Sequence, residues 1–189
     1  MKYFIIFLAL SCSHLNPIDS AIIHPVFDSQ YVCSEHYAGQ LKELGDALGT
    51  DCIYQSFVEQ DGRKWLRAYK NEGHKNQDWF GWQKNVLSPI SGEVVRINLN
   101  EVVNKPGIMG KGMASFVMLK GDDGLFVLLA HLQNIKVSKG DKVEAGEVLG
   151  LVGNNGQSWH PHIHIGAWKD NKPLQIRFDQ EAMAKFKSR

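Results

Sequence analysis

The sequence predicts a mostly β fold, a barrel or sandwich, with a small α+β extension at its N-terminal end. From about residue 71 onward, short apolar runs of strand length follow one another with glycine turns between them. Two of those runs flank Gly121-Asp122-Asp123-Gly124, a strong hairpin signal. A helical stripe stands near the start instead, where Tyr37, Leu41, Leu44 and Leu48 recur at intervals of four, three and four. The 189 residues suit one main domain with an appendage. A formal net charge of +1 makes no electrostatic case for a nucleic-acid partner.

Residues 1–21 read as an export signal. Lys2 supplies the charge and Tyr3 to Leu10 a short apolar core. That core falls far below the ~20 residues a membrane-spanning helix needs, so no transmembrane span is expected. Ala9-Leu10-Ser11-Cys12 resembles the lipobox at which a bacterial lipoprotein receives its lipid, with Ala9 where leucine is commonest. Cleavage before Cys12 with lipid attachment is therefore one outcome. Ordinary cleavage, directed by the small residues Ser11 and Ser13, is the other. Membrane anchoring is expected only if Cys12 is lipidated.

Residues 22–70 form the extension. Ser34 is placed to cap a helix over about 35–48, and Gly49 to end it. Cys52 to Val58 reads as a strand, Gln60-Asp61-Gly62 as a turn and Lys64 to Tyr69 as the return strand. With Cys12 lipidated or removed, Cys33 and Cys52 remain as a pair that an oxidising compartment would join in a disulfide.

Residues 71–178 form the main domain. Gly92 to Leu99 places Val95, Ile97 and Leu99 on one face of a strand. Ser115 to Leu119 and Leu125 to Ala130 make the hairpin. Asn134 to Val137 leads into a turn at Lys139-Gly140-Asp141, and Val148 to Val152 precedes Gly153-Asn154-Asn155-Gly156. The glycine-rich segment Glu101 to Met113 interrupts the pattern as a long loop, read as a wall of a groove. Over residues 179–189, Asp179 caps a short final helix through Phe186.

The chemistry gathers on histidines. In Pro161-His162-Ile163-His164-Ile165 the alternation suggests a strand. Side chains two apart, about 6.6 Å along the chain, then look to the same side. Two such imidazoles can hold one metal, or one can hold it while the other handles a proton. Gly73-His74-Lys75-Asn76-Gln77-Asp78 adds a histidine and a carboxylate at a spacing that suits a loop turning two ligands toward one ion. His131 ends the apolar run Val127-Leu128-Leu129-Ala130. His160 reads as an exposed loop histidine, and Trp79, Phe80 and Trp82 as packing under the metal loop.

In combination, the order H-x-x-x-D, A-H-L, K-G-D-x-V-x-x-G and H-x-H closely resembles the lysostaphin/LytM-type zinc metallopeptidases, which cut peptidoglycan peptides. The resemblance runs from about Gly73 to Trp168 and includes Ala130-His131-Leu132, Lys139-Gly140-Asp141-Lys142-Val143, Leu151-Val152-Gly153-Asn154 and Ser88-Pro89-Ile90-Ser91-Gly92. Asn76 departs from it, standing where many members have glycine. The resemblance implies a barrel-sandwich hybrid, the duplicated hybrid motif. It also implies one zinc ion on His74, Asp78 and His164, with His131 and His162 as unliganded catalytic histidines. His162 is then expected as general base and His131 as oxyanion stabiliser and proton donor, with the two roles exchangeable. Peptidoglycan peptides are the expected partner, and the bacterial periplasm, cell envelope or exterior the expected location.

Two other classes compete. A non-catalytic module of the same fold would bind cell wall or regulate another hydrolase, but degenerate relatives usually lose ligands and all five expected residues are present. The Lys139-Gly140-Asp141 turn also resembles biotinyl and lipoyl carrier domains. Those need an exposed lysine at a hairpin tip flanked by methionine or aspartate, and no such motif occurs.

Overall fold

The protein is described from a computed structural model that covers residues 17–186. The charged and apolar parts of the export signal, with Cys12, lie outside the described residues. Strands come in the order β1 (Ser20–Ile23), β2 (Tyr31–Glu35), β3 (Thr50–Tyr54), β4 (Ser56–Gln60), β5 (Arg63–Arg67), β6 (Asn85–Leu87) and β7 (Gly92–Asn98). There follow β8 (Phe116–Lys120), β9 (Phe126–Ala130), β10 (Leu132–Gln133), β11 (Lys142–Val143), β12 (Val148–Val152), β13 (Ile163–Lys169) and β14 (Lys172–Phe178). Helix α1 (Gln180–Ala184) closes the described chain, and the Asp179 carboxylate accepts from the Glu181 and Ala182 amides as its expected cap.

The fold is mostly β, as the sequence predicts. A nine-stranded sheet runs β1-β14-β13-β9-β8-β7-β11, with β3 on β13 and β2 on β3. A three-stranded sheet, β10-β12-β6, packs against it. Both contribute to one core: Val94, Val117, Leu119, Val127, Leu129, Ile163 and Ile165 from the larger sheet meet Val86, Leu132, Leu149 and Val152 from the smaller. The β8–β9 hairpin turns at the expected glycine pair, and 101–113 contains no strand.

The extension departs from expectation. Its strands β1, β2 and β3 are woven into the main sheet rather than forming an appendage: β1 pairs in parallel with β14, β3 with β13 and β2 with β3. Ser20 and Ala21, read as the end of the export signal, already belong to β1. The helix expected over 35–48 does not form. Glu35 is the last residue of β2, and 36–49 is a chain of turns. Gly39 and Gly45 adopt left-handed φ angles of 87° and 97°, which no α-helix accommodates, and Tyr37, Leu41 and Leu44 stay exposed. The strand expected from Cys52 to Val58 breaks at Gln55. Its first half joins the main sheet as β3 and its second half pairs only with β5. Asp61 and Gly62, with φ of 54° and 69°, make that hairpin's turn as expected.

Candidate metal centre and active-site groove

Strand β13 organises the site. Its first half carries β3 on one edge and β9 on the other, so His164 lies between Asp51 and Ala130 in a single cross-strand row. Ile163 and Ile165 point into the core with no exposure, and His162 and His164 line a groove of about 960 Å³. His131 follows Ala130 with φ +67°, a turn that brings its ring into the same groove. Such a backbone is uncommon outside glycine and concentrates at functional sites.

The disulfide expected between Cys33 and Cys52 is present, with the two residues directly opposite in the β2–β3 ladder. Asp51 precedes one cysteine and His36 lies three residues beyond the other. The pairing continues past β2, where the His36 amide donates to the Gly49 carbonyl at 2.8 Å. This brings His36 and Asp51 against His164. The turn at 45–49 lies directly over β13, and glycine makes that approach possible. A Cβ on Gly166 would overlap the Gly45 carbonyl, and one on Gly49 would stand 2.9 Å from Cε1 of His164.

His36, Asp51 and His164 offer ligand atoms that all lie within 4.8 Å of one another, the one such group among the described residues. The expected trio of His74, Asp78 and His164 is not assembled. Asp78 is half-buried and caps its own turn, accepting from the Asn71 side chain at 2.9 Å and the Lys75 amide at 3.1 Å. These bonds hold its carboxyl below the usual range, with the Asn71 bond the largest cause. His74 lines a separate recess with Tyr69, Trp79, Trp159 and His160. The H-x-x-x-D loop is not paired with β13, whereas β3 is, and strand pairing is what delivers a carboxylate to His164.

The donor set fits a metal ion. His36 Nδ1 donates to the Asp46 carbonyl at 3.0 Å, leaving the Nε2 lone pair 3.4 Å from Asp51 Oδ2. His164 Nε2 donates to the Gly45 carbonyl at 2.8 Å, leaving the Nδ1 lone pair 2.8 Å from Asp51 Oδ1. Lone pairs thus face lone pairs, an arrangement that requires a cation or a proton between them. Carbonyls holding the far nitrogens are the usual support for metal-ligating imidazoles. Two imidazoles and one carboxylate also match the ligand count of an open zinc site.

A proton fills that place when no metal does. Burial works against the His164 imidazolium, but the hydrogen bonds it donates to Asp46 and Asp51 outweigh it and push the group up to about 10. Burial works against the Asp51 carboxylate too, and the His164, His162 and His36 rings hold its carboxyl well below the usual range. His131 and His162 behave oppositely. Burial pulls His131 down to about 3 and His162 down to about 4, so both are neutral at pH 7. His131 Nδ1 donates to the Asn155 carbonyl and His162 Nδ1 to the His160 carbonyl, each at 2.8 Å. Their ring centroids stand 4.5 Å apart. His162 Nε2 is 3.8 Å from Asp51 Oδ1. His160 is half-buried rather than exposed, stacked on Trp79 at 4.4 Å.

A sequence model of Peptidase family M23 matches residues 72–176. The chain belongs to that family. The match begins after His36 and Asp51 and includes His74 and Asp78, so the M23 pattern alone does not reveal the trio that the fold assembles. Similar curated proteins include the DD-carboxypeptidase/endopeptidase Mpg of Neisseria meningitidis, 35% identical over 83 residues, which are 44% of this chain and 19% of that protein. Peptidoglycan DD-endopeptidase ShyA of Vibrio cholerae is 31% identical over 81 residues, 38% of this chain and 19% of that one. The M23 chain described here thus spans about a fifth of the length of these relatives. Among solved structures, the catalytic domain of the prophage-encoded M23 protein EnpA from Enterococcus faecalis, in a mutant form, aligns with a TM-score of 0.50 at 21% identity. It covers 78% of this chain and 88% of that one, a likeness of fold.

His36 and Asp51 were the residues that sequence reasoning missed. A signal for them existed in the cysteines. A bridge between Cys33 and Cys52 in antiparallel strands places the residues just beyond one cysteine beside those just before the other.

Proposed function

We propose that this M23 chain is a zinc-dependent endopeptidase that hydrolyses peptide bonds in bacterial peptidoglycan. One observation carries the reading: the Asp51 carboxylate faces the lone pairs of two imidazoles, and two further neutral imidazoles present free nitrogens to the same groove. A zinc ion on His36, Asp51 and His164 would supply a Lewis acid that acidifies a water and polarises the scissile carbonyl. His162 is the general base. Its Nδ1 proton is committed to the His160 carbonyl, and its Nε2, on the side of Asp51, is free to take a proton from the attacking water. That proton then returns to the leaving amine. His131 is held in the same tautomer, so it is an acceptor until a proton reaches its Nε2. The zinc ion would therefore carry the oxyanion, and His131 is the exchangeable alternative to His162 as proton acceptor.

The apolar groove wall, including Leu41, Met109, Met113 and Trp159, binds the peptide flanking the cut bond. The export signal read at the N-terminus agrees with a substrate in the bacterial envelope. No helix among the described residues is long and apolar enough to cross a membrane. The test is digestion of purified peptidoglycan with and without a chelator, with products identified by mass. New peptide termini that disappear with chelation and return with zinc are expected. Undigested wall in the presence of stoichiometric bound zinc would defeat the reading.

A further inference from the structure

The β4–β5 hairpin pairs with no other strand among the described residues. A two-stranded ribbon is marginal in water until another surface covers it. Yet Phe57, Trp65 and Leu66 are exposed at its middle. The register sets Phe57 opposite Leu66 and Val58 opposite Trp65, so each face carries an apolar pair. On the Trp65 face the alternation also places Arg63 and Arg67, each about 6.6 Å away along the strand. Arg67 reaches back along that face and donates to Gln60 Oε1 at 2.8 Å. With Lys64 and Lys70, residues 56–70 hold four cations against Glu59 and Asp61, in a chain whose net charge is +1. Among the described residues none of these four is ion-paired, unlike Lys142, Lys169 and Arg177.

The hairpin leads to the groove. Past Arg67 the chain reaches Tyr69, which pairs with Trp79 in an isolated bridge. Aromatic rings then stand one beside the next. Centroids are 4.9 Å apart from Tyr69 to Trp79, 4.4 Å from Trp79 to His160 and 5.2 Å from His160 to His162. Tyr69, Trp79, Trp159 and His160 wall a recess of about 260 Å³, and the last two line the groove as well. Whatever lies on the hairpin and in the recess is therefore next to the bond being cut.

The side chains name the chemistry of that occupant. Aromatic faces take the C–H faces of sugar rings, and arginines take carboxylates through paired N–H donors. In the wall polymer both come attached to the peptide in the groove: the sugar chain that bears it, and the free carboxylates of the neighbouring stem peptides. An anionic lipid surface would also satisfy the arginines, but it has no part that continues into an aromatic recess joined to a peptide groove.

We propose that Arg63, Trp65 and Arg67, together with the Tyr69–Trp79–Trp159 recess, form a subsite for the sugar chain and free carboxylates of the wall polymer. The subsite holds the polymer while its peptide lies in the groove. The inference rests on the reading of the groove as a peptidoglycan endopeptidase site, and it gives a use to a hairpin that reading leaves without one.

Two variants of the full chain test it: Trp65→Ala, and Arg63→Gln combined with Arg67→Gln, which spares the apolar contacts of the hairpin. Cosedimentation with insoluble purified peptidoglycan reads binding. Activity is read as kcat and KM on soluble wall fragments several disaccharides long, and on the same cross-linked peptides freed of sugar by an amidase. Wall binding should weaken by about tenfold and KM on the sugar-bearing fragments rise by a similar factor, with both constants on the bare peptides unchanged. An equal rise in KM on both substrates overturns the proposal, as does unchanged wall binding and KM in both variants. So does retained wall binding with lost binding to phosphatidylglycerol vesicles, which would mark a membrane-docking surface instead. If Trp65→Ala does not fold, the arginine variant carries the same test. Failure of the underlying reading is separable: a chain that cuts no wall still sediments with it, and sedimentation that depends on Trp65 and the two arginines upholds the subsite without the enzyme.

Discussion

Two segments of this chain pair a histidine with an aspartate, and they have exchanged the roles their spacing suggests. His74 and Asp78 are four residues apart, inside the family match, yet one lines a side recess and the other caps its own turn. His36 and Asp51 are separated by a turn region, outside the match, yet they meet His164 across a paired strand. The difference is anchorage. Asp51 sits on a strand hydrogen-bonded to β13 and tied by a disulfide, so its carboxylate has a fixed place. Asp78 sits on a short turn where the nearest donors are its own neighbours.

The sharpest way to break this comparison is to exchange the damage. His36→Ala or Asp51→Ala should lose bound zinc and drop wall digestion below detection, because two remaining ligands do not make a catalytic site. His74→Ala should keep zinc and stay within about twofold of full activity, as exposed substitutions do, and Asp78→Ala, which removes only a turn cap, should keep zinc as well. Metal analysis of the purified variants decides it, and the opposite result would return the metal to the H-x-x-x-D loop.

Next in size is His162→Ala, expected to keep zinc while kcat falls by about 10²–10⁴, the ordinary worth of a positioned base. A smaller effect should follow from Cys33→Ser with Cys52→Ser. Closing a loop with a sequence separation of 19 contributes on the order of 3 kcal/mol in the chain-entropy model, so denaturant unfolding should shift by that amount. Zinc affinity should fall with it, because the bridge holds the strands that carry His36 and Asp51. An equal stability loss with unchanged affinity would show that the strands keep the ligands in place without the bridge.

The smallest and most graded effect is that of pH. In the metal-free protein the His164 imidazolium is raised from its ordinary 6.5 to about 10 by Asp46 and Asp51 against the opposing effect of burial. Its contribution to stability is therefore full below pH 6.5 and is lost as pH rises through about 10. Zinc must displace that proton. Its affinity should climb with pH across the same window, by up to about tenfold per unit. Calorimetric titrations at several pH values check this, and His74→Ala should leave the slope unchanged. An affinity flat in pH between 7 and 9 would contradict the charge pairing at His164.

Most of the strand order from β7 onward was legible, because turn glycines and alternating apolar residues are local signals. Val148 to Val152 and the turn at 121–124 are examples. His162 and His164 flanking Ile163 showed which side faced the groove for the same reason. The 35–48 stretch was misread because apolar spacing suits a helix, while two glycines in left-handed conformations decide otherwise. Nothing in the local sequence reports that Gly45 must pass over His164, since that contact spans 119 positions.

By itself the sequence determined a mostly β chain of this peptidase family, and it marked a pair of neighbouring histidines and a cysteine pair able to join. Those properties follow from short-range patterns and from covalent chemistry. Only the tertiary structure decided which aspartate and which second histidine meet His164 in the candidate metal trio. Such choices depend on which strands lie beside β13 and which buried donors face which acceptors, and neither is encoded in spacing along the chain.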